Sequence, residues 1–317
     1  MRMKTLLPAL ALALALGVAA CGGSDEEGTA SSSTGGGDQG LSGKIAIDGS
    51  STVAPFTQAA AELFNEENPD VQITVGTSGT GGGFEKFCAG ETDISDASRP
   101  IKPDEEAPVC KKAGISYKEI QVANDGIAVV TNPALKVDCL TTDQLKQLWN
   151  KGSKVKSLSE IDPKLPDTEL KLFGPGTDSG TFDFFTGEIN GEEGVSRDDY
   201  SPSEDDNILV QGVAGESGGL GYFGHSYYEQ NKDKLNLVKV DGGGGCVEPT
   251  TETIQSGEYK PLSRPLFMYP STKALKRPEV KAFLTYVNDN YQAIADASQI
   301  VAMDPDQAAK AKAALGG

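Results

Sequence analysis

Three times in this chain a short apolar stretch runs into a cluster of glycine and hydroxyl residues that opens a helical pattern. Gly49-Ser50-Ser51-Thr52 follows Lys44–Asp48. Gly76-Thr77-Ser78-Gly79-Thr80-Gly81-Gly82-Gly83 follows Val71–Val75. Gly174-Pro175-Gly176-Thr177-Asp178-Ser179-Gly180-Thr181 follows Leu170–Phe173. Strand, small-residue loop and helix, repeated in that order, confine a chain to α/β architectures, because each element must bury one face against the next. The first turn of a helix carries N–H groups without intrahelical partners and a partial positive charge. Glycine lets an anion approach the backbone, and Ser and Thr hydroxyls add neutral donors. Several such helix starts facing one cleft would make an oxyanion site.

Ser98-Arg99 adds a cation to that set. The planar guanidinium suits two-point contact with a tetrahedral oxyanion. Taken singly, each loop is an ordinary helix cap and Arg99 a surface ion pair; the repetition is what points to binding.

The remaining pattern continues the alternation. Thr52–Glu67 is a predicted helix with Val53, Phe56, Ala60, Leu63 and Phe64 on one face. Gly82–Ala89, Pro103–Ala113, Thr142–Asn150, Thr181–Glu188 and Pro278–Asn290 also read as helices. Asp93–Ser95, Tyr117–Ala123, Gly126–Thr131, Leu220–Phe223, Leu237–Val240 and Pro265–Tyr269 read as strands. With 317 residues the chain exceeds one ordinary core and fits two lobes.

Residues 1–20 stand apart. Arg2 and Lys4 precede an apolar run, Leu6–Ala20, which reads as a secretory signal. The run ends Val18-Ala19-Ala20-Cys21, and small residues before a cysteine resemble the lipobox of bacterial lipoproteins, which implies that Cys21 is lipidated and becomes the mature N-terminus. Gly22–Gly40 is almost free of apolar side chains and reads as a flexible tether. Without residues 1–20 the chain keeps 26 basic against 46 acidic side chains, a net charge of −20. That disfavours nucleic acid and anionic membrane surfaces as partners. Any anion site must then act through local geometry. Besides Cys21 an even number of cysteines remains, Cys88, Cys110, Cys139 and Cys246. In an exported chain they read as two disulfides, with three connectivities open. No CxxC or CxxH spacing suggests a metal.

Enzyme readings fare poorly. Gly215-Glu216-Ser217-Gly218-Gly219 matches a nucleophile elbow literally, but that motif needs a preceding strand and then an acid and a histidine after it. The single histidine, His225, follows with no acid between, and reads as a surface or helix-start residue. A phosphatase would want a metal cluster or an activated nucleophile. Asp205-Asp206 reads as a solvated loop and Gly242–Gly245 as a turn.

Gly49–Val53, the loop at 76–84, Asp93–Ile101 and Gly174–Phe185 together resemble the substrate-binding proteins of Pst-type phosphate ABC transporters. Ser203–Asn207, Leu209-Val210-Gln211 and Gly221–Gly224 extend the likeness, which runs from about Lys44 to the C-terminal helices. The resemblance implies a two-lobe α/β clamp of the periplasmic-binding-protein type II kind, with a hinge and a ligand cleft between lobes. It implies lobe 1 over 41–122 plus 264–317, lobe 2 over 123–263, and crossings near Val122–Asp125 and Pro261–Pro265. Keeping each disulfide inside one lobe, so that the hinge can close, favours Cys88–Cys110 and Cys139–Cys246. The family's phosphate contacts fall on Ser51, Thr52 and Val53, on Ser78 or Thr80, on Ser98 beside Arg99, and on Ser179, Gly180 and Thr181. Two positions depart from the pattern: Pro175 and Ser98 stand where many relatives have arginine and aspartate. Arg99 is then expected to supply the cation, and Asp178 or Asp96 the acceptor for the phosphate proton. The implied partners are inorganic phosphate and the membrane permease and ATPase subunits of an importer. The protein is expected to be a monomer without cofactor, held to the membrane by its lipid. A phosphate-sensing lipoprotein, or a binder of another oxyanion, remains the competing reading.

Overall fold

The computed structural model describes residues 40–177 and 179–316; the signal, Cys21, nearly all of the tether and Asp178 lie outside them. The chain starts with three strand–helix pairs. These are β1 (Gly43–Gly49) and α1 (Ala54–Glu67), β2 (Val71–Gly76) and α2 (Gly79–Ala89), and β3 (Ile94–Ala97) and α3 (Glu106–Lys112). Pro55 sits in the first turn of α1, where its missing N–H forfeits no bond. Phe56, Ala60 and Phe64 form the buried face of α1 against the sheet.

β4 (Ile120–Thr131) is one strand of 12 residues, where the sequence suggested two strands broken at Asn124-Asp125. Its first half pairs antiparallel with a strand from near the C-terminus, and its second half with strands of the chain's middle. Pairing on both halves carries the strand through a tripeptide that in isolation favours a turn. Gly126 lies tight against Ile254, whose Cδ1 is 2.4 Å from where a Cβ would stand.

The middle of the chain supplies β5 (Cys139–Thr141), α4 (Thr142–Trp149), β6 (Lys171–Pro175), α5 (Gly180–Phe185), β7 (Ser201–Ser203), α6 (Asp206–Gly215), β8 (Gly219–Gly224), α7 (His225–Glu229), β9 (Asn236–Asp241), β10 (Cys246–Val247) and α8 (Thr251–Gln255). Thr141 caps α4 through the Gln144 N–H, and Gln144 returns a bond to the Thr141 N–H. β11 (Ser263–Pro270), α9 (Pro278–Asp289), α10 (Tyr291–Ser298) and α11 (Pro305–Leu315) complete the fold. The strand order is β2-β1-β3-β11-β4-β8-β6-β7, with β9 on β4 and flanked by β5 and β10.

Two main cores lie on either side of the middle of β4. One gathers Ile45, Phe56, Phe64, Ile120, Val122, Leu266, Met268 and Phe283. The other gathers Ile127, Val129, Leu148, Trp149, Phe185, Tyr222, Val238 and Tyr259, with Trp149 edge-on to Phe185 and Tyr222. The disulfides are Cys88–Cys110, joining α2 to α3, and Cys139–Cys246, joining the two strands that flank β9. The pairing follows the expectation.

Ser217 lies between the end of α6 and the start of β8, a helix-to-strand turn, in line with the rejection of a nucleophile elbow there. Two local expectations need correction in part. His225 starts α7 but is buried, 2% exposed, rather than at the surface. Asp205 is exposed, as expected of a solvated loop, but Asp206 is the first residue of α6. Asp205 caps α6 through the Asn207 N–H, and burial pushes the carboxyl of Asp206 up to about 6.

Candidate functional site

A cavity of about 640 Å³ lies where the ends of β1, β2 and β3 face the start of α5 and the beginning of β11. Both halves of the molecule line it. Ser50, Ser51 and Thr52 come from the turn before α1, Ser78, Gly79, Thr80 and Gly81 from the start of α2, and Ser98 and Arg99 from the turn after β3. Opposite them stand Gly180, Asp183, Phe184, Glu188 and Glu193, with Ser263 and Arg264 at the floor.

Hydrogen bonds set the shape of each loop. Thr52 N–H donates to Ser50 Oγ at 3.2 Å, and Ser50 N–H to the Asp96 carbonyl at 2.9 Å. Ser78 donates its N–H and hydroxyl to Asp48 Oδ1 at 3.0 and 2.6 Å, and Lys86 reaches Asp48 Oδ2 at 2.6 Å. Burial pushes the Asp48 carboxyl up, but Lys86 and Ser78 outweigh it and hold the group below its ordinary value. The Thr80 and Ser98 hydroxyls are 3.1 Å apart, and Ser98 N–H donates to Thr80 Oγ1 at 3.2 Å. Ser179 caps α5 by accepting from Thr181 N–H at 3.2 Å.

Of the residues expected at the site, Ser51, Thr52, Ser78, Thr80, Ser98, Arg99 and Gly180 line the cavity. Val53 does not: its side chain is wholly buried in the first core and its N–H donates to Ser50 O at 3.2 Å. Ser179 and Thr181 are also off the wall, occupied in capping α5. Asp178 lies outside the described residues. Asp96 turns away into the first core: Thr57 Oγ1 donates to its Oδ2 at 2.6 Å, and burial pushes it up to about 7.

Arg99 stands on the wall, but its guanidinium is committed. It makes a two-point pair with Glu106 at 2.9 and 2.7 Å and donates to the Pro100 carbonyl. The cation that sequence reasoning missed is Arg264. Its Nε donates to Asp125 Oδ2 at 3.2 Å, and its Nη2 to Thr52 Oγ1 at 2.8 Å and the Gly180 carbonyl at 3.4 Å. The guanidinium lies 3.7 Å over the Phe184 ring. Burial pushes Arg264 below its ordinary value, opposed by Asp125. Arg264 sits in Ser263-Arg264-Pro265, the same tripeptide as Ser98-Arg99-Pro100, inside an expected crossing segment; that repetition is the signal that could have found it.

Carboxylates complete the wall. Burial pushes both Asp183 and Glu188 above the usual carboxylate range, Glu193 adding to the effect and Arg264 opposing it. The site therefore offers hydroxyls, the Arg264 guanidinium and acceptors to one small ligand, without a paired nucleophile and base among the described lining residues.

Two α/β halves joined at a strand, with a polar cavity between them, define the class of bilobal solute-binding proteins. A profile described as "PBP superfamily domain" matches residues 27–290. The chain is 43% identical over 278 residues to the phosphate-binding protein PstS of Staphylococcus saprophyticus, covering 87% of this chain and 82% of that one. It is 45% identical over 249 residues to protein SphX of Synechococcus elongatus, covering 78% and 73%. The crystal structure of a possible phosphate binding protein from Planctomyces limnophilus superposes with a TM-score of 0.82 at 47% identity, covering 87% of this chain and 98% of that one. The chain belongs to the PstS family of solute-binding proteins.

Proposed function

We propose that the protein captures inorganic phosphate in the cavity between its lobes, outside the cytoplasm, and delivers it to the permease and ATPase subunits of an ABC importer without making or breaking a bond. The observation that carries this reading is the convergence of Ser51, Thr52, Thr80, Ser98, the start of α5 and a guanidinium on one cavity. Uncharged donors and a buried cation together suit an oxyanion that enters a strongly acidic protein. We assign lobe 1 to 41–122 with 264–317 and lobe 2 to 123–263, divided where β4 and β11 run between the two cores. Closure of the lobes on phosphate is then a shift between open and closed forms.

Selectivity follows from protons. Phosphate near neutral pH keeps at least one proton and sulfate none, so a fixed carboxylate can accept from the first and repels the second. Asp183 lies in the first turn of α5 and on the cavity wall, and Asp178, which precedes α5 in the sequence, lies outside the described residues. Calorimetry should find phosphate and arsenate bound far more tightly than sulfate. Asp183→Asn should weaken phosphate binding and narrow the phosphate-to-sulfate ratio by roughly tenfold or more, the scale of one lost pairing. If Asp183→Asn keeps full discrimination and Asp178→Asn loses it, the acceptor is Asp178. Wild-type protein that prefers sulfate or an organic solute would refute the phosphate reading.

The anchor is assigned to Cys21 on the lipobox resemblance. Cys21→Ala is expected to move the protein from the membrane fraction to the soluble one or to block its maturation, since a single residue carries the lipid. Unchanged fractionation of the variant would rule the anchor out.

A further inference from the structure

We propose that Arg264, not Arg99, is the cation that grips the ligand, and that it does so from the start of β11, where the chain crosses between the lobes. The inference rests on the phosphate reading above and names the residue that makes it work.

Two arginines reach the cavity, and their surroundings differ. Arg99 spends its paired donors on Glu106, with a side chain 35% exposed. A charge so neutralised, at a solvent-washed rim, couples weakly to anything placed before it. Arg264 has a side chain only 15% exposed and lies at the floor, where Coulomb attraction is screened far less. A guanidinium has five N–H donors. In Arg264 the Nε bond goes to Asp125, and the Nη2 bonds go to Thr52 and Gly180. Among the described residues nothing bonds Nη1, which leaves its two N–H groups for the ligand in a cavity that Arg264 itself lines. The Phe184 ring lies against the guanidinium, 3.7 Å from its central carbon to the ring centroid, and restrains it from one side.

The position of the residue matters as much as its charge. Arg264 is the second residue of β11, opposite Asp125 in the ladder with β4. From there it touches Thr52 at the start of α1 and Gly180 at the start of α5, which stand on opposite walls. One guanidinium therefore ties the floor to both walls, and an anion held on Nη1 is presented to both helix starts at once.

The test is calorimetry of inorganic phosphate with the full mature chain and the variants Arg264→Met, Arg264→Lys, Arg99→Met and Arg99→Lys, with circular dichroism and thermal melting as folding controls. Loss of a two-point charge-assisted contact predicts an affinity drop of roughly a hundredfold or more for Arg264→Met. Arg264→Lys keeps the charge but not the fork, so its loss should be smaller, roughly tenfold. Both Arg99 variants should stay within about tenfold of wild type. Lysine at 264 keeps the test decisive if methionine there misfolds. Wild-type affinity in a folded Arg264→Lys or Arg264→Met protein, or a hundredfold loss in the Arg99 variants alone, overturns the proposal. Wild-type protein that binds no phosphate at all overturns the phosphate reading itself, and the two failures are thereby distinguished.

Discussion

Gly180→Ala is expected to weaken phosphate binding by a hundredfold or more while leaving the unliganded protein as stable as before. Gly180 is the first residue of α5, and a Cβ there would stand 2.2 Å from Thr52 Oγ1, 2.7 Å from Thr52 N and 2.8 Å from Ser51 Oγ. A hydroxyl could rotate away. The Thr52 nitrogen cannot, because its N–H is tied to Ser50, whose own N–H is bonded to the Asp96 carbonyl. The methyl group must therefore push the starts of α1 and α5 apart, and these are the two walls that have to meet around a ligand. Contacts below 3 Å against backbone are not relieved by small shifts. A site opened by even 1 Å loses most of its hydrogen-bond energy, since these bonds weaken steeply with distance. The local effect on α5 has the opposite sign: alanine is a better helix former than glycine by about 1 kcal/mol. Loss of binding with unchanged or slightly raised melting temperature separates closure from folding. Gly215→Ala, where nothing lies within 4 Å, is the control and should bind normally. Normal phosphate affinity in Gly180→Ala would mean that the two walls need not approach this closely.

The second large effect concerns stability. Removing Cys139–Cys246 by a double serine substitution should cost about 5 kcal/mol on loop-closure grounds, against about 3 kcal/mol for Cys88–Cys110. The difference comes from sequence separations of 107 and 22 residues, since the longer loop denies the unfolded chain more conformations. The longer bridge also holds the weakest strands. β5 has three residues and β10 two, and both lean on β9. Without the bridge they should fray first. Urea unfolding of the two double variants checks the order. Neither bridge touches the cavity, so phosphate affinity in both should stay within a few-fold of wild type. A larger loss from the Cys88–Cys110 variant would show that native-state strain, not loop entropy, governs.

How much of this could be read before folding depends on the range of the interaction involved. The alternation of β1, α1, β2 and α2, the Thr141 cap of α4 and the glycine and hydroxyl loops before α1, α2 and α5 are matters of neighbours a few residues apart. Such features are written in side-chain periodicity and capping chemistry. The disulfide pairing was also legible, though only through the lobes that the family resemblance implied.

Other features are settled by partners far away in the chain. Asn124-Asp125-Gly126 reads as a break, yet β4 runs through it because β11 and β8 supply hydrogen bonds on either side. Asp96 sits in the family motif, yet a threonine 39 residues away draws its carboxyl into the core. Val53 belongs to the first helix-start motif, but its side chain is taken by the apolar core and its N–H by the turn. Arg99 is adjacent to Ser98 and looks like the natural cation, but the turn into α3 brings Glu106 to it first. Arg264 stands in the same Ser-Arg-Pro tripeptide as Arg99, so the local pattern cannot say which of the two faces the ligand. The place of Arg264 depends on Asp125, 139 residues away, Thr52, 212 away, and Gly180, 84 away. The sequence alone determined the fold class, the three anion-ready helix starts and the family, since each is a short-range pattern. Which charged groups face the cavity was decided only when β11 paired with β4, because a charge goes where distant partners compensate its burial, and no local pattern encodes that.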